Sequence, residues 1–105
     1  MIEAGSVALL RFPYTDGLGY KRRPVLVLRD FEDGDILVCR ITSKIYKSKY
    51  DIFLDDWLKF GLKLPSVIRV HKIATLEINM VETIMGQIDN VALNKIKLIY
   101  MSIIE

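Results

Sequence analysis

The side chains with the clearest chemical meaning in this sequence are cations and hydroxyls. Arg23 stands in the run Lys21-Arg22-Arg23-Pro24, and Thr42 and Ser43 close a later apolar run just ahead of Lys44. A guanidinium is planar and charged at neutral pH, so it can hold two phosphate oxygens at once. Beside a hydroxyl, it suits a substrate that carries its own nucleophile and develops negative charge at phosphorus. RNA does both. Its 2′-hydroxyl attacks the adjacent phosphodiester, and a protein need only hold that hydroxyl in line, assist proton transfer and steady the pentacoordinate phosphorane. Such chemistry requires neither metal nor cofactor.

Other catalytic arrangements are missing from the residue pattern. Gly17-Leu18-Gly19 lacks the third glycine and the following helix of a phosphate cradle. The single His71 has no partners at zinc-ligand spacing. Cys39 lies inside an apolar strand, where a thiol reads as buried packing rather than as a nucleophile. Asp55 and Asp56 are adjacent, so on a helix they point in different directions and serve its start better than they serve a carboxylate pair.

The charge distribution agrees with an anionic partner although the total barely does. There are 15 basic against 13 acidic residues, a net charge of +2. Lys21, Arg22, Arg23, Arg40, Lys44, Lys47 and Lys49 supply nearly half of the basic side chains, with no acid between Ile36 and Tyr50. Tyr14, Tyr20, Tyr46 and Tyr50 lie among or beside them and offer flat faces on which bases stack. A lone Cys39 excludes an internal disulfide and suits a reducing, cytoplasmic setting. No secretion signal opens the sequence, and no apolar run reaches the roughly 20 residues of a membrane-spanning helix.

These residues need a scaffold, and the hydropathy pattern describes one domain over residues 1–105. Apolar Ser6 to Phe12 reads as a strand buried on both faces and ending at Pro13. Tyr14 to Arg22 is expected to be a loop, and Pro24 to open a second strand, Val25 to Leu28. A turn at Glu32-Asp33-Gly34-Asp35 leads to a third strand, Ile36 to Thr42, so the two form a hairpin. A short strand at Asp51 to Leu54 is followed by a short helix near 55–61, with Asp55 as its cap and Gly61 as its end. Ser66 to Val70 and Thr83 to Ile88 are further strands, with Gly86 marking a bulge or a close contact. Ala92, Ile96, Ile99 and Ile103 then recur at helical spacing, with Asn90 as N-cap. The fold class expected is mainly β with helices (α+β): a small curled sheet or barrel closed by a C-terminal helix.

Several of these segments, in order, resemble one family. Gly5-Ser6-Val7 leading to Phe12-Pro13, then Lys21-Arg22-Arg23-Pro24-Val25-Leu26-Val27-Leu28, is similar to the opening of the MazF/PemK toxins of bacterial toxin–antitoxin pairs. Ile36 to Ser43 resembles their next strand, and Asp51 to Gly61 with Pro65 to Val70 the segment around their fifth. Lys72 to Leu76 resembles the turn that follows. The resemblance implies an SH3-like β-barrel, a homodimer, and a metal-independent endoribonuclease that leaves a 2′,3′-cyclic phosphate. It also implies a cognate antitoxin whose tail covers the RNA groove.

Carried onto this sequence, the resemblance makes Arg23 and Thr42 the catalytic pair. Lys21, Arg22, Ser43, Lys44, Tyr20, His71 and Lys72 become candidates for binding RNA. Two positions depart from the family: Ser6 stands where many members carry Asp, and Ala74 where many carry Arg, with His71 and Lys72 placed to compensate. A different class stays open beside the nuclease: a non-catalytic protein-binding toxin on the same barrel that poisons an enzyme by contact, as the related CcdB toxins do, or a decayed family member.

Overall fold

The computed structural model describes all of residues 1–105. Six strands form one antiparallel sheet: β1 (Ser6–Pro13), β2 (Tyr20–Asp30), β3 (Asp35–Thr42), β4 (Asp51–Leu54), β5 (Ser66–Glu77) and β6 (Val81–Gln87). The spatial order is β4-β5-β3-β2-β1-β6. The end strands β4 and β6 do not pair with each other, so the curled sheet is an open small barrel. One helix, α1 (Asn90–Ile103), follows the last strand. The α+β architecture expected from the hydropathy pattern is the one found.

Two apolar cores explain why Val7 to Leu10 of β1 is apolar without alternation. Val7 belongs to a cluster with Leu26, Cys39, Ile68 and Phe60 against which α1 packs through Ile96. Its neighbours Ala8 and Leu10 join Val25, Val27, Ile36 and Val38 on the other face. A strand with a core on both sides has no solvent face to fill with polar residues. On α1, Ala92, Ile96 and Ile99 do face the core, whereas Ile103 in the last turn is 43% exposed. No helix is long and apolar enough to cross a membrane.

The structure corrects several boundaries. β2 begins at Tyr20, so Pro24 lies inside the strand and the loop shrinks to residues 14–19. Pro24 is opposite Leu9 on β1, but pairing with β3 starts only at Val25, so on that side the missing N–H costs no ladder bond. β5 runs on to Glu77, and residues 72–76 are strand rather than turn. It absorbs an irregularity: Ile73 is opposite Cys39 while Arg69 is opposite Arg40, which leaves Val70, His71 and Lys72 unmatched.

The helical ends are corrected as well. The segment near 55–61 is a single 3-10 turn, Trp57–Phe60, with no side-chain cap. Asp55 does not cap it, and Asp56 instead pairs with Lys59 at 3.1 Å. Gly61 ends the turn in the left-handed conformation, φ 71°. Asp89, not Asn90, caps α1: its Oδ1 accepts the Ala92 N–H at 2.8 Å. Gly86 is the close contact its position suggests, since a Cβ there would stand 2.6 Å from the buried Phe60 ring.

Candidate RNA-binding groove

The site arises where two strands part company. The β2–β3 ladder is last paired at Val25–Arg40. Before that point β2 continues along β1, with Arg23 opposite Leu10, while β3 continues along β5, with Thr42 opposite Val67. Extending the Val25–Arg40 register sets Arg23 against Thr42 across the gap. Both line one groove of about 470 Å³ together with Lys21, Arg22, Ser43, Lys63 and Ser66, and no Asp or Glu contributes to it. Its lining holds four cations, three hydroxyls and apolar side chains that include Leu9 and Ile41, a composition that suits an anion.

The two central side chains are held differently. Arg23 is exposed and takes part in none of the four ion pairs of the molecule. Thr42 is half-buried, and its Oγ1 accepts the Lys44 backbone N–H at 3.2 Å. That bond fixes the hydroxyl oxygen and leaves its proton free to donate into the groove.

Arg23 also lines a second cavity of about 380 Å³, with Phe12, Arg40, Lys72 and Ala74 among its walls. Lys72 thus shares a cavity with Ala74, the position at which the family resemblance lacks its arginine, and Arg40 and Arg23 are the other cations there. His71 lines neither cavity. Its ring packs on Tyr50 at 5.1 Å, and its Nδ1 is buried without a partner.

The remaining expected residues divide. Lys21, Arg22 and Ser43 reach the groove. Arg22 is charge-balanced there: its Nε donates to both carboxylate oxygens of Glu82, at 3.0 and 2.9 Å. That hydrogen bond, reinforced by the charge, raises the Arg22 pKa and holds the Glu82 carboxyl below the usual range. Tyr20 lies outside the groove, its ring covered by the Arg11 guanidinium at 4.0 Å. Lys44 is outside as well, with its Nζ 5.2 Å above the Tyr46 ring. Cys39 is fully buried, and burial pushes its thiol up to about 12, so it stays protonated at neutral pH.

Sequence reading overlooked Lys63 and Ser66 as site residues, and placed Arg40 only among the clustered cations. Residues 61–64 form one wall of the groove although they look like nothing more than the end of a helix. The available signal was Lys63 itself, a cation between a left-handed Gly61 and the rigid Pro65. No three His, Cys, Asp or Glu side chains come together in the chain.

Comparison with known proteins places the chain in a family. The sequence profile of the PemK-like, MazF-like toxins of type II toxin–antitoxin systems matches residues 3–101. A search of curated proteins finds no match. Among solved structures, a MazE–MazF complex from Deinococcus radiodurans superposes with a TM-score of 0.81 at 19% identity, covering 98% of this chain and 95% of that one. The MazF-mt6 toxin of Mycobacterium tuberculosis gives 0.70 at 19% identity over 88% of each chain. A mycobacterial endoribonuclease in complex with its cognate antitoxin gives 0.70 at 18% identity, over 92% and 88%. At these identities the structural likeness speaks for the fold, while the profile spans nearly the whole chain: this protein belongs to the PemK-like, MazF-like toxin family of type II toxin–antitoxin systems.

Proposed function

We propose that the chain is a metal-independent endoribonuclease that cuts single-stranded RNA in the groove between β2 and β3. The observation that carries this reading is an unpaired Arg23 guanidinium and the Thr42 hydroxyl lining one groove that no carboxylate enters. A phosphodiester seated there meets four cations. Its 2′-oxygen attacks phosphorus, the bond to the 5′-oxygen breaks, and the products are a 2′,3′-cyclic phosphate and a 5′-hydroxyl. The 2′-hydroxyl gives up its proton in that step, and the departing 5′-oxygen takes one up.

Arg23 supplies its charge to the phosphorane oxygens, where the negative charge grows. Removing one such donor commonly costs about 10²–10³ in rate. Thr42 donates its hydroxyl hydrogen to the same phosphate and helps to fix its orientation. Lys21 and Lys63 hold the flanking phosphates, and Lys72 with Arg40 supplies the charge that Ala74 lacks. Arg22 contributes less, because Glu82 already neutralises it.

The same reading makes the chain one partner of a toxin–antitoxin pair, acting in the cytoplasm as a homodimer and silenced by an acidic antitoxin segment that occupies the cationic groove. The test is digestion of single-stranded RNA in EDTA with analysis of the fragment ends. Cyclic phosphate and 5′-hydroxyl ends are expected. An RNA left intact, alongside tight capture of a protein target, would instead favour a toxin that acts by contact.

A further inference from the structure

A second, closed constellation, outside the groove, joins the start of β4 to β5. Asp51 opens β4 with its side chain 1% exposed, and Arg69 on β5 is 13% exposed. The Arg69 Nε donates to Asp51 Oδ1 at 2.9 Å. The other carboxylate oxygen, Oδ2, accepts from the Ser48 N–H at 3.0 Å and the Ser48 hydroxyl at 2.6 Å. The Ser48 Oγ in turn accepts the Tyr50 N–H at 3.1 Å. The Arg69 guanidinium lies over the Tyr46 ring, its Cζ 3.6 Å from the ring centre. Burial by itself would raise the Asp51 carboxyl, but the hydrogen bonds from Arg69 and Ser48 hold it below the usual range.

All these contacts converge on residues 43–50, the segment between β3 and β4. Its first residue, Ser43, lines the groove, and Thr42 is tied to it through the Lys44 N–H. Its far end is tied to Asp51 and, through the Tyr50 carbonyl, to the Val70 N–H. Without those ties a segment bearing Lys44, Lys47 and Lys49 would repel itself and move freely. A buried ion pair contributes little net stability, yet losing one partner leaves an uncompensated charge, so such a pair fixes one arrangement more than it strengthens the fold.

We propose that Asp51, Arg69 and Tyr46 form a clasp that positions the 43–50 segment beside the groove and thereby sets which RNA sequences the protein accepts. The clasp touches no reacting atom: its residues are positioning residues. The inference rests on the nuclease reading and adds to it a determinant of base choice. Tyr46 is its most informative member, because it is the lid on Arg69 and carries no buried charge.

The test compares Tyr46→Leu, Tyr46→Phe and Asp51→Asn on a labelled random-sequence single-stranded RNA pool. Trypsin cleavage after Lys47 and Lys49 reports the segment independently of activity. Tyr46→Leu is expected to speed that proteolysis about tenfold. It should also raise KM about tenfold with kcat within about threefold, and broaden the set of sites cut. Tyr46→Phe keeps the ring and should behave as the parent, while Asp51→Asn should loosen the segment further. If Tyr46→Leu leaves proteolysis unchanged, there is no clasp. If it loosens the segment but leaves KM and the cleavage sites as they were, the segment does not select RNA. Either result overturns this proposal alone. A parent protein that cuts no RNA removes the nuclease reading and this one with it.

Discussion

Arg23 and Arg69 are the same side chain in two settings. Arg69 is nearly buried, paired with Asp51 and stacked on Tyr46, so both its charge and its flat face are occupied. Arg23 is exposed at the point where β2 and β3 separate, in a groove without acids, and forms no ion pair. A framework arginine is saturated by its own chain, whereas one meant for a ligand is left unsatisfied. Arg22 falls between the two: it borders the groove but is held by Glu82. Neighbouring cations in one short run therefore have unequal value for binding an anion.

The contrast can be broken from either side. The largest effect belongs to Arg23→Ala, expected to slow RNA cleavage about 10²–10³-fold in initial-rate assays while leaving the melting temperature in place, since the side chain supports nothing else. Next in size is a framework change. Gly86→Ala would drive a methyl group into the Phe60 ring at 2.6 Å, and overpacking of this kind destabilises by about 1–3 kcal/mol, measurable as a lowered urea midpoint.

Acid should act on the framework before the groove. Asp30, Asp51 and Glu82 all have carboxyls depressed below their ordinary values. For Asp30 the chief cause is the backbone N–H of Ile2, followed by that of Glu32. A folded pKa below the unfolded one means that the unfolded chain binds more protons. The stability these groups provide is thus complete above about pH 5 and is lost as pH falls through their folded values. Urea midpoints between neutral and strongly acidic pH should decline over that window, and Asp51→Asn should make the decline shallower. The smallest effect is expected from Arg22→Ala, less than about tenfold in cleavage rate, because its charge is already spent on Glu82.

Much of this was legible in the sequence, for identifiable reasons. The apolar stretch Val7 to Leu10 in β1 pointed to burial on both faces, and two separate cores account for it. Strand β4 and the end of the short turn at Gly61 were marked by local chemistry. The start of β2 was obscured because Pro24 looks like a boundary, and only the absence of β3 pairing at that residue shows why it is tolerated inside a strand. Asp89 and Asn90 are both good caps, and which one serves depends on a one-residue offset that tertiary packing sets.

The site divides along the same line. Arg23, Thr42, Lys21 and Ser43 sit in segments adjacent in the hairpin, so a hairpin prediction already brings them near each other. Lys63 and Ser66 reach the groove from a distant part of the chain, which no local pattern encodes. Nor could spacing reveal that Tyr20 and Tyr46 are already covered by Arg11 and Arg69 rather than open to a base.

The central question is whether the free guanidinium acts on the chemical step. Single-turnover cleavage of a short single-stranded RNA, with protein in saturating excess, separates that step from binding. Arg23→Ala, in EDTA, is expected to bind the RNA but to cleave it at least about 100-fold more slowly than the parent, with the parent leaving cyclic phosphate ends. A bound RNA cut by Arg23→Ala at the parent's rate would contradict that expectation.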